Sequence, residues 1–315
     1  AAVTASAQTD VTKKYIDNAD FGSRFAAWDN AGSFTYNTDN TFEKMSGEVW
    51  MEKWVASGGK LGTNAGMKQR LVDMPAGTYT LTVAAQNIQQ SNKTKTQTGA
   101  FVYAGDEQTE IGAADDYSVR FTLLTGSTMA GVKLTSCTGN WVCIDNFRLT
   151  YEGFITAEAD AAMQKLIDEA EGIIEAGDLQ EAELRAAIDA AKAAKGGADA
   201  KAAQEVAKAL QRATLNYRVE NATGVAPKVT TNAYVATGTT IALGRATISG
   251  SNIMERGFCW SEDDIPTVCD ERSTRTFENN GTIYVMDKLK PATMYYVRAY
   301  AMTKSYQVTY GDMVR

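Results

Sequence analysis

The stretch MPAGTYTLTVAAQN, residues 74–87, decides the fold class of this chain. Pro75-Ala76-Gly77 joins a ring-fixed φ to a residue free to turn, so the chain reverses there. Beyond the turn, Tyr79, Leu81, Val83 and Ala85 fall on one side of an extended backbone, with Thr80, Thr82, Ala84 and Gln86 on the other. That alternation predicts a strand with one face in a core. GAFVYAG (99–105) repeats the pattern with Phe101 and Tyr103 on one face, and YSVRFTLLTG (117–126) with Val119, Phe121 and Leu123. In WVCIDNFRLTY (141–151), Val142 and Ile144 keep one two-residue phase, whereas Phe147, Leu149 and Tyr151 keep the opposite one. A one-residue β-bulge at Asp145-Asn146 lets both halves face the core, since Asn and Asp tolerate a turned backbone. The competing reading is an unbroken strand with Trp141, Cys143 and Asp145 inward. So many short strands over residues 8–153 predict a two-sheet β-sandwich of jelly-roll type.

The pattern then changes twice. TAEADAAMQKLIDEAEGIIEAG (156–177) places Met163, Leu166, Ile167, Ala170, Ile173 and Ile174 three and four apart, which is one helical stripe from a cap at Thr156 to a stop at Gly177. Asp178 with Glu181 reads as a capping box opening a second helix, with Leu184, Ala187, Ile188 and Ala191 on one side. A third helix through residues 200–219 has Val206, Leu210, Ala213 and Tyr217 inward. Residues 156–220 thus read as a small three-helix bundle serving as a linker. From Pro227 strand patterns return, and residues 225–315 read as a second β-sandwich, with the final strand cut short.

Composition narrows the chemistry. Among 315 residues, 31 basic against 38 acidic give a formal charge of -7, which disfavours nucleic acid and anionic membranes as partners. There is no histidine, which removes Ser-His-Asp and Cys-His catalysis and the commonest zinc ligand together. No apolar run is long enough to span a bilayer. Ala5-Ser6-Ala7 has the small-x-small form of a signal-peptidase site, so residues 1–7 read as the remnant of a signal peptide and the chain as secreted or displayed at the cell surface. Cys137, Cys143, Cys259 and Cys269 can pair locally as 137–143 and 259–269 in an exported protein. Equally, Cys143 and Cys259 lie in apolar runs where a thiol packs as a small hydrophobe.

Three resemblances follow from these residues. YIDNADFGSRFAAW near the start, MPAGTYTLTVAA and VCIDNFRLTY resemble the carbohydrate-binding jelly rolls of families four and six, with Asn18, Phe21 and Trp28 matching the family's opening. Gly22 stands where that family has an acid. LKPATMYYVRAYA (289–301) is similar to the Leu-x-Pro-x-Thr-x-Tyr pattern of fibronectin type III domains, which implies that the Tyr295 hydroxyl bonds backbone upstream as a tyrosine corner. LIDEA, LRAAIDAAKAA and VAKALQRA resemble FIVAR three-helix modules. Together they imply an exported protein of the kind found in glycan-degrading bacteria, monomeric, with a polysaccharide or a glycoprotein glycan as partner.

Sugar rings are held by flat aromatic faces, with amides and carboxylates bonding the hydroxyls. EVWMEKWVASGG (48–59) offers Trp50 and Trp54, which share a strand face with Glu52 between them. Gln86, Tyr103 and Tyr117 rank next, while Trp28 and Trp141 read as structural. Acid pairs such as Glu48 with Glu52, or Asp115 with Asp116, read as solvated rather than catalytic, so the chain is expected to be no enzyme and to need no cofactor. The jelly-roll resemblance implies Asp145 as a ligand of a structural calcium. Without an acid at Gly22, a hydrogen bond from Asp145 to the backbone of the N-terminal strand is the preferred role. The function expected is a noncatalytic carbohydrate-binding and spacer region, with the alternative of a structural or adhesive protein without a glycan ligand. A catalytic domain following Arg315 is compatible with both.

Overall fold

The computed structural model describes residues 8–30, 34–93, 95–273, 275–278 and 282–315. The expected signal-peptide remnant, residues 1–7, lies outside them. Two compact units emerge, one of Ala1–Met163 with Lys195–Glu205 and the other of Gln164–Ala194 with Val206–Arg315, a division that runs through two of the helices.

In chain order the first unit begins with β1 (Thr9–Asp10), α1 (Thr12–Tyr15), β2 (Thr35–Asn37), β3 (Trp50–Trp54), β4 (Gly62–Leu71) and β5 (Gly77–Ile88). Next come β6 (Ala100–Ala104), β7 (Glu107–Glu110), β8 (Asp115–Leu123), β9 (Thr128–Cys137) and β10 (Trp141–Gly153). One sheet runs β2-β3-β10-β5-β8 with β1 also on β10, and the other runs β4-β9-β6-β7. They form a β-sandwich whose core holds Tyr79, Leu81, Val83 and Ala85 of β5, Val119, Phe121 and Leu123 of β8, and Val102 and Val132 of the facing sheet. The alternation read in the sequence is therefore the alternation in the core.

The bulge in β10 is present. Asp145 pairs with Ala84 and Arg148 with Thr82, so three steps on β10 match two on β5. Asn146 takes up the difference at a φ of 49°. As a result Val142 and Ile144 before it, and Phe147 and Leu149 after it, all reach the core.

Helices α2 (Thr156–Glu171), α3 (Glu181–Ala194) and α4 (Ala200–Glu220) follow. The stripe in α2 stops before Ile173 because Gly172 favours leaving the helix. Asp178 is no cap: its carboxylate accepts the Tyr217 hydroxyl, while Glu181 accepts from the Gly177 N–H. On α4, Ala207 is buried rather than Val206, along with Leu210, Ala213 and Tyr217. Among the described residues, no helix is long and apolar enough to cross a membrane.

The second unit continues with β11 (Lys228–Thr237), β12 (Ala242–Ser249), β13 (Ile253–Ser261), β14 (Glu271–Arg272), β15 (Arg275–Glu278), β16 (Thr282–Met286), β17 (Tyr296–Thr303) and β18 (Val308–Tyr310). Sheets β11-β12-β16-β15 and β14-β13-β17-β18 enclose Phe258, Trp260, Tyr284, Met286, Val297 and Ala299. The Tyr295 hydroxyl accepts the Lys290 N–H at 2.9 Å. All four cysteines are free thiols.

Candidate functional site

A strand buries one face and offers the other, so the residues of β5 that avoid the core must meet something else. On the outer face of the β2-β3-β10-β5-β8 sheet they meet a second apolar cluster, built from Phe42, Trp50, Ala84, Ile88, Trp141 and Cys143. Register arranges this face in rows. Trp54, Trp141 and Ile88 lie side by side, and the next row is Glu52, Cys143 and Gln86. Beyond these, Trp50 pairs with Asn37 of β2.

Two covers lie on the face. At its far end Arg120 of β8 bonds Glu152 of β10 at 2.8 Å and Glu158 in the first turn of α2 at 2.7 Å. In the middle, the segment 38–49 folds back across the sheet. Phe42 packs on Trp50 with centroids 5.5 Å apart, Trp50 Nε1 donates to the Asp39 carbonyl at 2.9 Å, and Lys44 pairs with Asp115 at 3.1 Å. The Ser46 N–H donates to the Asp145 carboxylate. The strap stops short of the end at Trp54, which reaches solvent.

At that mouth Trp54 is 57% exposed. Behind it the Glu52 carboxylate accepts from Trp141 Nε1 at 2.7 Å and from Asn37 Nδ2 at 3.1 Å. Gln86 Nε2 donates to Cys143 Sγ at 3.0 Å. Burial pushes the Cys143 thiol well up, so it is a packing group and hydrogen-bond partner rather than a nucleophile.

The structure brings Trp54, Glu52 and Gln86 together and corrects the other expectations. Trp50 is fully buried under Phe42 and has no face for a sugar ring. Glu52 and Gln86 line the interior of the face rather than its surface. Tyr103 is on β6 of the opposite sheet, with Lys133 4.8 Å from its ring centroid, and burial pushes its hydroxyl up to about 12. Tyr117 closes a loop: its hydroxyl donates to the Ala113 carbonyl at 2.6 Å and accepts the Gly112 N–H at 2.9 Å. Two residues escaped the sequence reading. Asn37 comes from a strand of three residues too short to announce itself, and Trp141, read as structural, is the donor that orients Glu52.

Asp145 does not bond the N-terminal strand. It accepts from Ser46 N and, at 2.7 Å, from its neighbour Asn146 N. Burial raises its carboxyl to about 7 despite these two donors, with Asp20 adding a like charge. Among the described residues no three Asp, Glu, His or Cys side chains converge, and both Asp145 oxygens are already engaged.

No protein-family model and no curated protein matches this chain. Among solved structures it is similar to a Stig cyclase, Fisc, from Fischerella sp. TAU, at 16% identity and a TM-score of 0.31 over 47% of this chain and 100% of that one. It is similar to the CBM22-1 and GH10 modules of Clostridium thermocellum xylanase 10B complexed with xylohexaose, at 12% identity and a TM-score of 0.29 over 45% of this chain and 34% of that one. The CBM22-1 xylan-binding domain from Paenibacillus barcinonensis is a third, at 12% identity and a TM-score of 0.27 over 41% of this chain and 88% of that one. A cyclase, a xylanase fragment with CBM22-1 and GH10 modules and a xylan-binding domain at such scores leave the chemistry of the Trp54 mouth to be read from its own residues.

Proposed function

We propose that the first unit is a noncatalytic module that binds a glycan at the Trp54 end of its outer face. It would belong to an exported or surface protein in which the FIVAR-like helices and the fibronectin-like sandwich act as spacers. The observation that carries this reading is the exposed Trp54 ring standing beside Trp141, with Glu52, Asn37 and Gln86 immediately behind. The C–H face of a pyranose stacks on an indole held on a strand, and the half-buried Asn37 amide, oriented by Glu52, is the polar group nearest to hand for its hydroxyls. The noncatalytic reading is supported by the engagement of these acids elsewhere: Asp115 pairs with Lys44, Asp116 with Arg148 at 2.9 Å, and Glu52 accepts from Trp141.

Affinity electrophoresis of the whole chain against plant, host and microbial glycans tests it. Retention by at least one glycan is expected, and Trp54→Ala should abolish that retention without lowering the melting temperature. The second reading, a structural or adhesive protein without a glycan ligand, draws on the burial of Trp50, Glu52 and Gln86. Absence of retention by every glycan would establish that reading in its place.

A further inference from the structure

Three loops border the open mouth: residues 55–61 after β3, 89–93 and 95–99 after β5, and 138–140 before β10. Amide side chains lock them together. Asn140 Nδ2 donates to the Val55 carbonyl and to Gln90 Oε1, both at 2.9 Å, and Gln90 N donates back to Asn140 Oδ1 at 2.7 Å. Gln89 Nε2 bridges the Gly59 and Thr138 carbonyls at 2.8 and 2.9 Å. Gly139 admits no side chain here, because a Cβ would lie 1.9 Å from Asn87 Oδ1. Asn87 and Asn140 are fully interior, so the loops form one frame rather than three independent tips.

The charge on this frame runs against that of the chain. The protein carries a net charge of -7, yet none of the three loops contains an Asp or Glu, and they carry Lys60, Lys93 and Lys95. All three lysines are exposed. The frame holds the backbone on both sides of Lys60, through the Gly59 carbonyl bonded to Gln89 and the Leu61 N–H bonded to the Gly139 carbonyl, and the Lys95 carbonyl accepts from Gln97 Nε2 at 2.9 Å. The acids nearest the frame hold protein groups: Glu52 accepts from Trp141 and Asn37, Asp39 from the Thr41 N–H and hydroxyl, and Glu110 from the Gly99 N–H at 2.7 Å. The Trp54 end therefore joins an aromatic platform to loops that carry three exposed lysines.

We infer that the glycan bound at Trp54 is acidic, carrying a uronate carboxylate or a sulfate ester on the residue next to the one stacked on the indole, where Lys60, Lys93 and Lys95 receive it. This rests on the glycan-binding reading above. A rim of ammonium groups adds specificity and association rate in proportion to the charge met, and salt screens it.

The test is affinity electrophoresis of the whole chain in gels containing polygalacturonate, its fully methyl-esterified form, dextran sulfate, dextran, and neutral xylan. Retention is expected with polygalacturonate or dextran sulfate, which separates the carboxylate from the sulfate source, and should fall on esterification and in 1 M salt. Lys93→Gln and Lys95→Gln, both on an exposed loop, should each weaken retention roughly fivefold. Trp54→Ala should abolish it. Equal retention by xylan and polygalacturonate, or lysine variants that behave as wild type, would overturn the acidic ligand while leaving glycan binding intact. Polyanion retention that survives Trp54→Ala would mark charge attraction away from the site and overturn it too. Retention by no glycan would remove the glycan-binding reading itself.

Discussion

The two sandwiches solve the same problem differently. Each has a sheet whose outer face carries apolar residues left over after the core is filled. In the second unit that face, with Cys259 on β13 and Tyr300 on β17, is roofed by α4 through Leu215 and Val219. Polar contacts fix the roof: Cys269 Sγ bonds Asn216 Oδ1 at 2.9 Å, and Gln307 Nε2 bonds the Ala222 carbonyl at 2.6 Å. In the first unit the comparable cover is the segment 38–49, which seats Phe42 on Trp50 and stops short of Trp54. The helix roof covers its face, whereas the short strap leaves the Trp54 end of the other exposed, and the proposed glycan site lies there.

The strongest way to break this comparison is to empty the strapped cluster. Trp50 touches Phe42 and Trp141 and donates to the Asp39 carbonyl, so Trp50→Ala removes the floor on which the strap sits. Urea denaturation should show a loss of about 3–5 kcal/mol. A loss below about 1 kcal/mol would mean that strap and sheet do not pack as one body.

A smaller effect comes from pH. The Asp145 carboxyl that receives the strap at Ser46 is raised by burial from 3.8 to about 7. The folded protein thus keeps a proton that the unfolded chain releases above pH 4. Folding stability from this group is complete below the unfolded value and is lost as pH rises through about 7. Melting temperature should fall across that window. Asp145→Asn should flatten the fall and lower stability at pH 5, since the amide offers one acceptor oxygen to two N–H donors. An unchanged slope in the variant would show that other groups set the pH dependence.

What was legible in the sequence was local. Alternation named the core face of β5 and β8, and the phase break at Asp145-Asn146 located the bulge, because both are written in neighbouring residues. The site was legible in part. Trp50 and Trp54 do share a strand face, but which of them Phe42 covers depends on a segment folding back from outside the strand. Tyr103 has the same alternation as the residues at the mouth and belongs to the other sheet, a matter of strand order that periodicity does not encode. Asp178 looked like a cap because its spacing to Glu181 fits one; Tyr217, 39 residues later, takes it instead.

The smallest effect sharpens the comparison from the roofed side. Arg218 of α4 lies with its guanidinium 4.8 Å from the Tyr306 ring centroid, donates to the Tyr306 hydroxyl at 2.6 Å, and pairs with Glu169 at 2.9 Å. It is a partly exposed residue, so its ion pair alone is worth little, but stacking and hydrogen bond act on the same planar group. Arg218→Ala should cost about 1–2 kcal/mol, and Arg218→Lys should recover only part of that, because an ammonium keeps the charge and loses the planar fork. Glycan retention should be the same in both variants as in wild type. If Arg218→Ala instead abolished retention, the roofed face would be coupled to the open one and the division of labour between the two sandwiches would have to be abandoned. If it changed neither stability nor retention, the helix would be held by its apolar contacts with Cys259 and Tyr300 alone, and the roof would owe nothing to its polar edge.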